Sequence, residues 1–246
     1  MIRQIKTLSL NIAKLRVKIA TNYGKYYNYL NLYFDKIILP QDFEDDFDIQ
    51  INAYWQKGSW GNYLEEFKKS NNFLDIGANT ILDKKRIVTI RKVGKRKKVT
   101  FDFNSENKKF YLKAIMRRKI LKDAIRYGIL SKPEEDWFFS ITFPVLYYPV
   151  FWYLEYFLHT HVLHASAVEL NGKGVVICGL EGIGKTSLVL SLLQEKNSYF
   201  LSDNLILYDN ERVFPCYELI RIYKNDLYSF KLKELQGIYS PQPLIL

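Results

Sequence analysis

The sequence predicts an α/β protein of the α+β type, with a mixed β-sheet and a β-rich N-terminal half. Short runs of alternating apolar residues fill much of the first half, and such alternation is typical of half-buried strands. In the second half, Asn171-Gly172 separates two apolar runs and predicts a hairpin, so the strand after it should pair antiparallel with the strand before it. The 246 residues are 48% apolar, which is enough for a buried core and excludes global disorder. We therefore expect two regions, residues 1–130 and 131–246.

The N-terminal region begins with strand patterns. Apolar residues alternate over residues 8–19, with a slip near Ala13, and again over residues 47–54, so both stretches are predicted to be strands. Residues 26–38 are rich in aromatic side chains and fit either a helix or a strand. Turns or loops are expected at residues 40–48 and 58–61.

A β-hairpin and one helix complete this region. Residues 86–103 alternate on both sides of a basic tip at residues 94–98, which indicates two paired strands. The tip is either a contact for a polyanion or a solvated turn. Residues 109–127 are predicted to be helical, because their apolar residues fall near one helix face and Gly128 follows.

The most hydrophobic stretch lies at residues 137–163. A membrane-spanning helix needs roughly 20 apolar residues, and Pro144 and Pro149 interrupt this run. We therefore predict two short buried helices, the second at residues 149–158, with peripheral membrane contact as the alternative. A helix start is predicted at residues 131–136, where a serine and a proline precede three acidic residues.

A glycine-rich loop follows the predicted hairpin, whose strands are residues 161–170 and residues 175–178, with Cys178 buried. The loop is Gly179-Leu180-Glu181-Gly182-Ile183-Gly184-Lys185-Thr186, which matches the phosphate-binding pattern G-x-x-x-x-G-K-T. A helix with buried leucines is predicted to follow from Ser187 to position 196. Glycines allow successive N–H groups to point inward, and a helix N-terminus favours negative charge. We expect the eight residues and Ser187 to bind ATP, with Lys185 neutralising the phosphates and Thr186 binding Mg²⁺.

Two polar residues outside the loop complete the candidate site. Residues 199–204 are predicted to form an apolar strand that continues over residues 205–208, and residues 209–212 are predicted to form a turn. Asp203 ends an apolar stretch, where its carboxylate can bind Mg²⁺ or accept the proton of an attacking hydroxyl; the alternative is an acid that only forms the turn. His164 is a lone histidine on an apolar strand, and a functional and a purely structural role are both open. The candidate catalytic residues are Asp203, His164 and Lys185, and the candidate metal ligands are Thr186 and Asp203.

The order and spacing of these pieces resemble the catalytic domain of HPr kinase/phosphorylase and its wider relatives. His164 precedes Lys185 by 21 residues and Asp203 follows Lys185 by 18, and the likeness covers residues 161–222. It implies a core related in fold to phosphoenolpyruvate carboxykinase, with ATP bound over Mg²⁺ by the loop. It also implies that Asp203 handles the metal and activates a hydroxyl nucleophile, and that His164 lies near the site.

The sequence departs from that family at three points. Asn204 stands at the position of a second family aspartate, and Glu181 replaces a small polar residue of the loop. The chain ends about 40 residues after Asp203, before a later substrate-side segment of the family. We therefore expect the core to be truncated at its C-terminus, or completed by a partner chain or a second copy.

Charge and cysteine content bear on partners and compartment. The 36 Lys and Arg residues against 26 Asp and Glu give a formal net charge of +10, which favours anionic partners. Two cysteines and no C-x-x-C motif do not make a disulfide framework, so a cytoplasmic protein is expected. Basic residues at positions 14, 16 and 18 argue against a signal peptide.

The leading functional hypothesis is an ATP- and Mg²⁺-dependent kinase that phosphorylates a hydroxyl, such as that of a serine, on a protein, peptide or small molecule. A first alternative is an ATP-binding module that does not catalyse transfer, or that a partner completes. A second alternative is an ATPase associated with nucleic acid or a membrane, which the basic residues 95–98 and 117–119 suggest.

Overall fold

Strands provide most of the regular structure, and the chain divides into two units. The computed structural model describes residues 4–40, 47–57, 74–82, 86–93, 97–118, 135–216 and 244–245. The first unit comprises Met1–Asn11 and Leu15–Val150, and the second comprises Ile12–Lys14 and Phe151–Leu246. The boundary predicted between residues 130 and 131 lies outside the described residues. The prediction of a mixed α/β architecture with a mixed sheet and a β-rich N-terminal half is confirmed, and the mixed sheet is large.

The first unit is built on one eight-stranded sheet. Its strands are β1 Lys6–Ile12, β2 Leu15–Thr21, β3 Ile49–Lys57, β4 Leu74–Gly77, β5 Thr80–Leu82, β6 Arg86–Val93, β7 Lys97–Glu106 and β8 Lys109–Arg118. They lie in the order β1-β2-β3-β8-β7-β6-β5-β4. The pairs β2–β3 and β3–β8 are parallel, whereas the pairs from β8 to β4 are antiparallel. The predicted hairpin of residues 86–103 is confirmed as β6 and β7, and residues 94–96 of its tip lie outside the described residues.

Two predicted stretches contain more elements than their patterns suggested. The slip near Ala13 is a turn in which Ala13 has a φ of +55°, and it separates β1 from β2. The aromatic stretch is helical, as α1 Gly24–Tyr33 and a short 3-10 helix Asp35–Ile37. The strand predicted at residues 47–54 is confirmed as β3. Of the loop predicted at residues 40–48, residues 41–46 lie outside the described part of the chain, as does the whole loop predicted at residues 58–61.

The helix predicted over residues 109–127 is wrong, because its described part forms β8. Phe110 and Leu112 are buried on the alternating pattern of a strand, and β8 pairs with β3 on one edge and β7 on the other. Asn107 and Lys108 have φ values of +49° and +61°, which suit the tight hairpin turn between β7 and β8. Pairing along both edges therefore outweighs the local helical periodicity.

The hydrophobic stretch after the sheet forms one helical path instead of two separate helices. It consists of α2 Glu135–Thr142, a π-helical segment Phe143–Tyr147 and α3 Tyr148–Leu158. Pro144 falls in the π-helical segment, where the α-helical hydrogen-bond ladder is already interrupted. Within the described residues, no helix combines the length and apolar character that crossing a bilayer requires. Residues 119–134, which include most of the predicted helix start, lie outside those residues.

An aromatic cluster forms part of the core of the first unit. The ring of Tyr26 in α1 lies 4.9 Å from that of Trp55 and 5.4 Å from that of Phe138, between centroids. Thr142 donates its hydroxyl to the carbonyl oxygen of Phe138 at 2.8 Å, so the Tyr26 hydroxyl donates to Thr142 Oγ1 at 3.2 Å. Burial raises the pKa of Tyr26 above its ordinary value.

Among its described residues, the second unit contains two small sheets and, after α3, one helix. Its elements are β9 His161–Leu163, β10 Ala165–Leu170, β11 Lys173–Cys178, α4 Lys185–Leu192, β12 Ser198–Ser202, β13 Ile206–Tyr208, β14 Arg212–Pro215 and β15 Leu244–Ile245. The order is β11-β10-β12 in one sheet and β15-β14-β13-β9 in the other, and all pairs are antiparallel. The chain passes between the two sheets at His164 and again after Ser202. The strands predicted at residues 161–170 and 199–208 are therefore each divided in two.

The hairpin that precedes the glycine-rich loop is confirmed. Leu170 pairs with Lys173, and Asn171 and Gly172 have φ values of +52° and +79°. The strand β11 lies in a separate antiparallel sheet and not in the large mixed sheet. Because β11 is an edge strand, its side chains are half-buried, and Cys178, which was predicted to be buried, is exposed.

Helix α4 packs against one face of the three-stranded sheet. The apolar cluster on this face comprises Val168, Val189, Leu193 and Phe200. The cluster on the opposite face comprises Ala165, Ala167, Leu201, Ile206 and Val213. Because side chains alternate along β10, Ser166 lies on the same face as Val168, towards α4. The helix ends at Leu192 instead of position 196, and Leu188, which was predicted to be buried, is 48% exposed.

Asp209 closes the turn between β13 and β14, as predicted for residues 209–212. Its carboxylate accepts hydrogen bonds from the backbone N–H groups of Glu211 at 3.0 Å and Arg212 at 2.8 Å, and from Lys14 Nζ at 3.0 Å. Partial burial opposes the negative charge, but these hydrogen bonds outweigh it and lower the pKa of Asp209 from 3.8.

Candidate functional site

The glycine-rich loop at residues 179–186 connects β11 to α4. Gly182 and Gly184 have φ values of +80° and +97°, a region that glycine enters at low cost. Gly179 is restricted by space instead, because a Cβ atom there would lie 2.9 Å from Cγ2 of Ile183. All three glycines are thus required by the path of the loop.

Positive charge converges where the loop enters α4. Gly184 occupies the N-cap position, and among the described residues no side chain caps the helix. The first N–H groups of α4 therefore remain available to an acceptor, and the helix dipole adds about half a positive charge. Lys185 folds over the loop, with Nζ donating to the carbonyl oxygens of Gly179 at 2.9 Å and Leu180 at 3.0 Å. This end of the helix suits an anion with several acceptor oxygens.

Thr186 and Asp203, the two predicted metal ligands, are in direct contact. Thr186 Oγ1 donates to the Asp203 carboxylate, at 3.0 Å from Oδ2 and 3.2 Å from Oδ1. Thr186 lies in the first turn of α4, and Asp203 follows β12 with only 7% of its surface exposed. The fold thereby places a hydroxyl and a buried carboxylate side by side at the end of the loop.

Ser166 is a residue of this site that the sequence analysis missed. It is fully buried in β10, and its hydroxyl donates to Asp203 Oδ1 at 2.6 Å. The large majority of buried hydroxyl groups have a hydrogen-bond partner. In the sequence, the one feature that could have indicated this role is a serine in the middle of an apolar strand.

The chain turns sharply after β12, and this turn fixes the position of Asp203. The Ser202 hydroxyl contacts the carbonyl oxygens of Leu205 and Cys216, the latter at 2.8 Å. Asn204 has a φ of +81°, which asparagine adopts more readily than most residues. The backbone conformation of the turn therefore explains an asparagine at this position without any role for its side chain in catalysis or metal binding.

The remaining predicted site residues lie at the surface. His164 lies at the bend between β9 and β10 and is exposed; among the described residues it has no hydrogen bond to Asp203. The remaining predicted residues of the loop and of the helix start are exposed as well, among them Leu180, Glu181, Ile183 and Ser187. The structure thus brings together Lys185, Thr186 and Asp203, and a role for His164 stays a prediction.

The donor types at this site fit a magnesium nucleotide. The loop supplies N–H groups and an ammonium for phosphate oxygens, and Thr186 and Asp203 supply the hard oxygen ligands that Mg²⁺ prefers. Mg²⁺ retains several waters and takes few protein ligands, so one hydroxyl and one carboxylate suffice. Across the described part of the chain, no group of three or more His, Cys, Asp or Glu side chains is placed to hold a metal ion. A metal here would depend on this pair and on the phosphates.

Comparison with known proteins found no relative of the chain. No family model matches it, and neither a curated protein nor a solved structure gives a significant match. The resemblance to HPr kinase/phosphorylase therefore depends on the motif residues alone.

Proposed function

We propose that this chain is an ATP- and Mg²⁺-dependent phosphotransferase whose acceptor is a hydroxyl of a protein, peptide or small molecule, and that its second unit contains an HPr-kinase-like core. The observation that supports this most is the hydrogen bond from Thr186 to the buried Asp203 carboxylate at the end of a glycine-rich loop. A chance glycine-rich turn has no reason to end on such a pair.

Each residue of the site has a role in this proposal. Lys185 exchanges its contacts with two loop carbonyl oxygens for contacts with phosphate oxygens, and so neutralises charge that develops during transfer. Thr186 and Asp203 would hold Mg²⁺, which would supply positive charge to offset the negative charge of the phosphates. The positive end of α4 adds a fixed favourable field. Catalysis is thus positioning combined with electrostatic stabilisation.

The proposal also includes the cellular compartment in which the protein acts and the nucleotide that it binds. Cys178 and Cys216 are both free thiols, which agrees with a reducing compartment such as the cytoplasm. ATP is the nucleotide we propose, and the acceptor class stays as wide as the hydroxyl chemistry allows.

The first test is calorimetric titration of Mg-ATP into the wild type and the Lys185→Ala variant. Each charge-assisted hydrogen bond lost costs about 1.5–3 kcal/mol, so we expect the dissociation constant to rise about 10- to 150-fold. Lys173→Ala is the matched control, because Lys173 is an exposed lysine at the far end of β11. Equal binding by both variants, or none by the folded wild type, would reject the nucleotide site.

The second test is transfer of phosphate from γ-³²P-labelled ATP to serine-containing proteins and to free serine. We expect transfer by the wild type and its loss in Asp203→Ala. Transfer that survives this substitution unchanged would refute the role of Asp203. Tight Mg-ATP binding without transfer to any acceptor would instead favour a binding module, which the single carboxylate beside Asn204 makes the main alternative.

A further inference from the structure

A buried hydroxyl beside the proposed metal ligand has no part in the phosphotransfer roles above. Ser166 is the only polar residue among four consecutive, fully buried positions of β10, which are otherwise Ala165, Ala167 and Val168. Alanine or valine would fill such a strand without the cost of burying a hydroxyl. Its presence requires a specific partner, and the partner is Asp203 Oδ1 at 2.6 Å.

The geometry divides the two oxygens of Asp203 between two donors. Oδ1 lies 2.6 Å from Ser166 Oγ and 3.2 Å from Thr186 Oγ1, whereas Oδ2 lies nearer to Thr186, at 3.0 Å. A hydrogen bond to one oxygen of a carboxylate fixes the rotation of the whole group, because the two oxygens share one plane. The oxygen on the loop side is then held in place for Thr186 and the metal.

We propose that Ser166 is a positioning residue that orients the Asp203 carboxylate towards Thr186 and thereby sets the Mg²⁺ affinity of the nucleotide complex; this inference depends on the proposed function. Hydrogen-bond partners behind a metal ligand typically change metal affinity by about 10- to 100-fold when they are removed. Ser166 pairs with Ile177 of β11 and its hydroxyl donates to Asp203, so nucleotide binding without metal should not depend on it.

Ser198 provides a matched control within the same sheet. It is 6% exposed in β12, and its hydroxyl donates to the carbonyl oxygen of Glu195 at 2.7 Å. Ser198→Ala removes the same atoms from a comparably buried position, without a contact to Asp203. A purely structural effect of losing a buried serine hydroxyl would therefore appear in Ser198→Ala as well.

The experiment is a Mg²⁺ titration of ATP binding, followed by calorimetry, for the wild type, Ser166→Ala, Ser166→Cys and Ser198→Ala. ATP binding in EDTA is measured for each, and the thermal unfolding midpoint confirms folding. We expect Ser166→Ala to raise the Mg²⁺ concentration at half-saturation about 10-fold or more. Ser166→Cys, which preserves the shape with a weak donor, should fall between Ser166→Ala and the wild type. ATP binding in EDTA should stay within about twofold for all variants.

Three results would overturn the inference, and they are distinguishable. An unchanged Mg²⁺ midpoint in Ser166→Ala, with the wild type still binding Mg-ATP, would reject the role of Ser166 and leave the proposed function standing. An equal shift in Ser198→Ala would assign the effect to general loss of packing. A wild type whose ATP binding does not respond to Mg²⁺ would reject both the inference and the function on which it depends. Should Ser166→Ala fail to fold, Ser166→Cys decides between these outcomes alone.

Discussion

Replacing Ser166 and Asp203 by alanine, singly and together, measures how strongly they stabilise each other without any ligand. Ser166 is fully buried, Asp203 is 7% exposed, and the hydrogen bond between them is 2.6 Å long. A hydrogen bond to a charged group contributes about 1.5–3 kcal/mol, and its burial and short length suggest a coupling free energy of about 2 kcal/mol. Asp203→Ala alone leaves the Ser166 hydroxyl buried without its acceptor, whereas the double variant removes both groups. The double variant should therefore be about 2 kcal/mol more stable than the sum of the single effects predicts.

The assay is urea unfolding followed by circular dichroism, with free energies compared at a common slope. The control cycle combines Ser198→Ala with Asp203→Ala, and these effects should add within about 0.5 kcal/mol because the two side chains do not share a contact. Additivity within that same range for Ser166 and Asp203 would refute the coupling. It would also remove the physical basis for a positioning role.

Three further predictions concern the loop, the pH dependence and the core. Gly184→Ala should weaken Mg-ATP binding in calorimetry, because a φ of +97° costs alanine about 1–2 kcal/mol and the loop must change its path to avoid it; unchanged binding would contradict this. Because the pKa of Asp209 is lowered from 3.8, its carboxylate stabilises the fold at pH values above 3.8, and this contribution is lost as the pH falls below 3.8. The free energy of unfolding of the wild type should therefore decrease more steeply below that pH than that of Asp209→Asn. Parallel curves of unfolding free energy against pH would contradict this. Leu201→Ala, at a fully buried site, should cost about 2–5 kcal/mol in urea unfolding, whereas Leu188→Ala, at a site 48% exposed, should cost less than about 1 kcal/mol.

Features that depend on neighbouring residues could be predicted from the sequence. The Asn171-Gly172 turn, the turn closed by Asp209 and the glycine-rich loop each arise from chemistry within a few positions. Thr186 and Asp203 could be predicted as ligands of one metal because a loop, a helix and an acidic strand end follow one another closely in the chain; the direct hydrogen bond between them was not predicted.

Features that depend on distant pairing were missed. β8 has apolar residues at a spacing that fits a helix locally, and only its pairing with β3 and β7 makes it a strand. The division of two strands at His164 and after Ser202 leaves no mark in the hydrophobic pattern, because apolar residues continue into the second sheet. The contact of Ser166 with Asp203 spans 37 positions, so its partner could not be read from local spacing.

The order of strands in the large sheet has a consequence for how the chain folds. Strands β4 to β8 neighbour each other in sequence and in the sheet, whereas Ile49 of β3 pairs with Phe110, ~60 residues later. Closing so long a segment costs roughly 2 kcal/mol more entropy than closing a hairpin turn. We therefore expect the consecutive hairpins to form early and β3 to join them in the rate-limiting step of refolding. During synthesis at about 5–20 residues per second, the edge of β3 that pairs with β8 stays unpaired for several seconds, and such exposed edges are prone to aggregation.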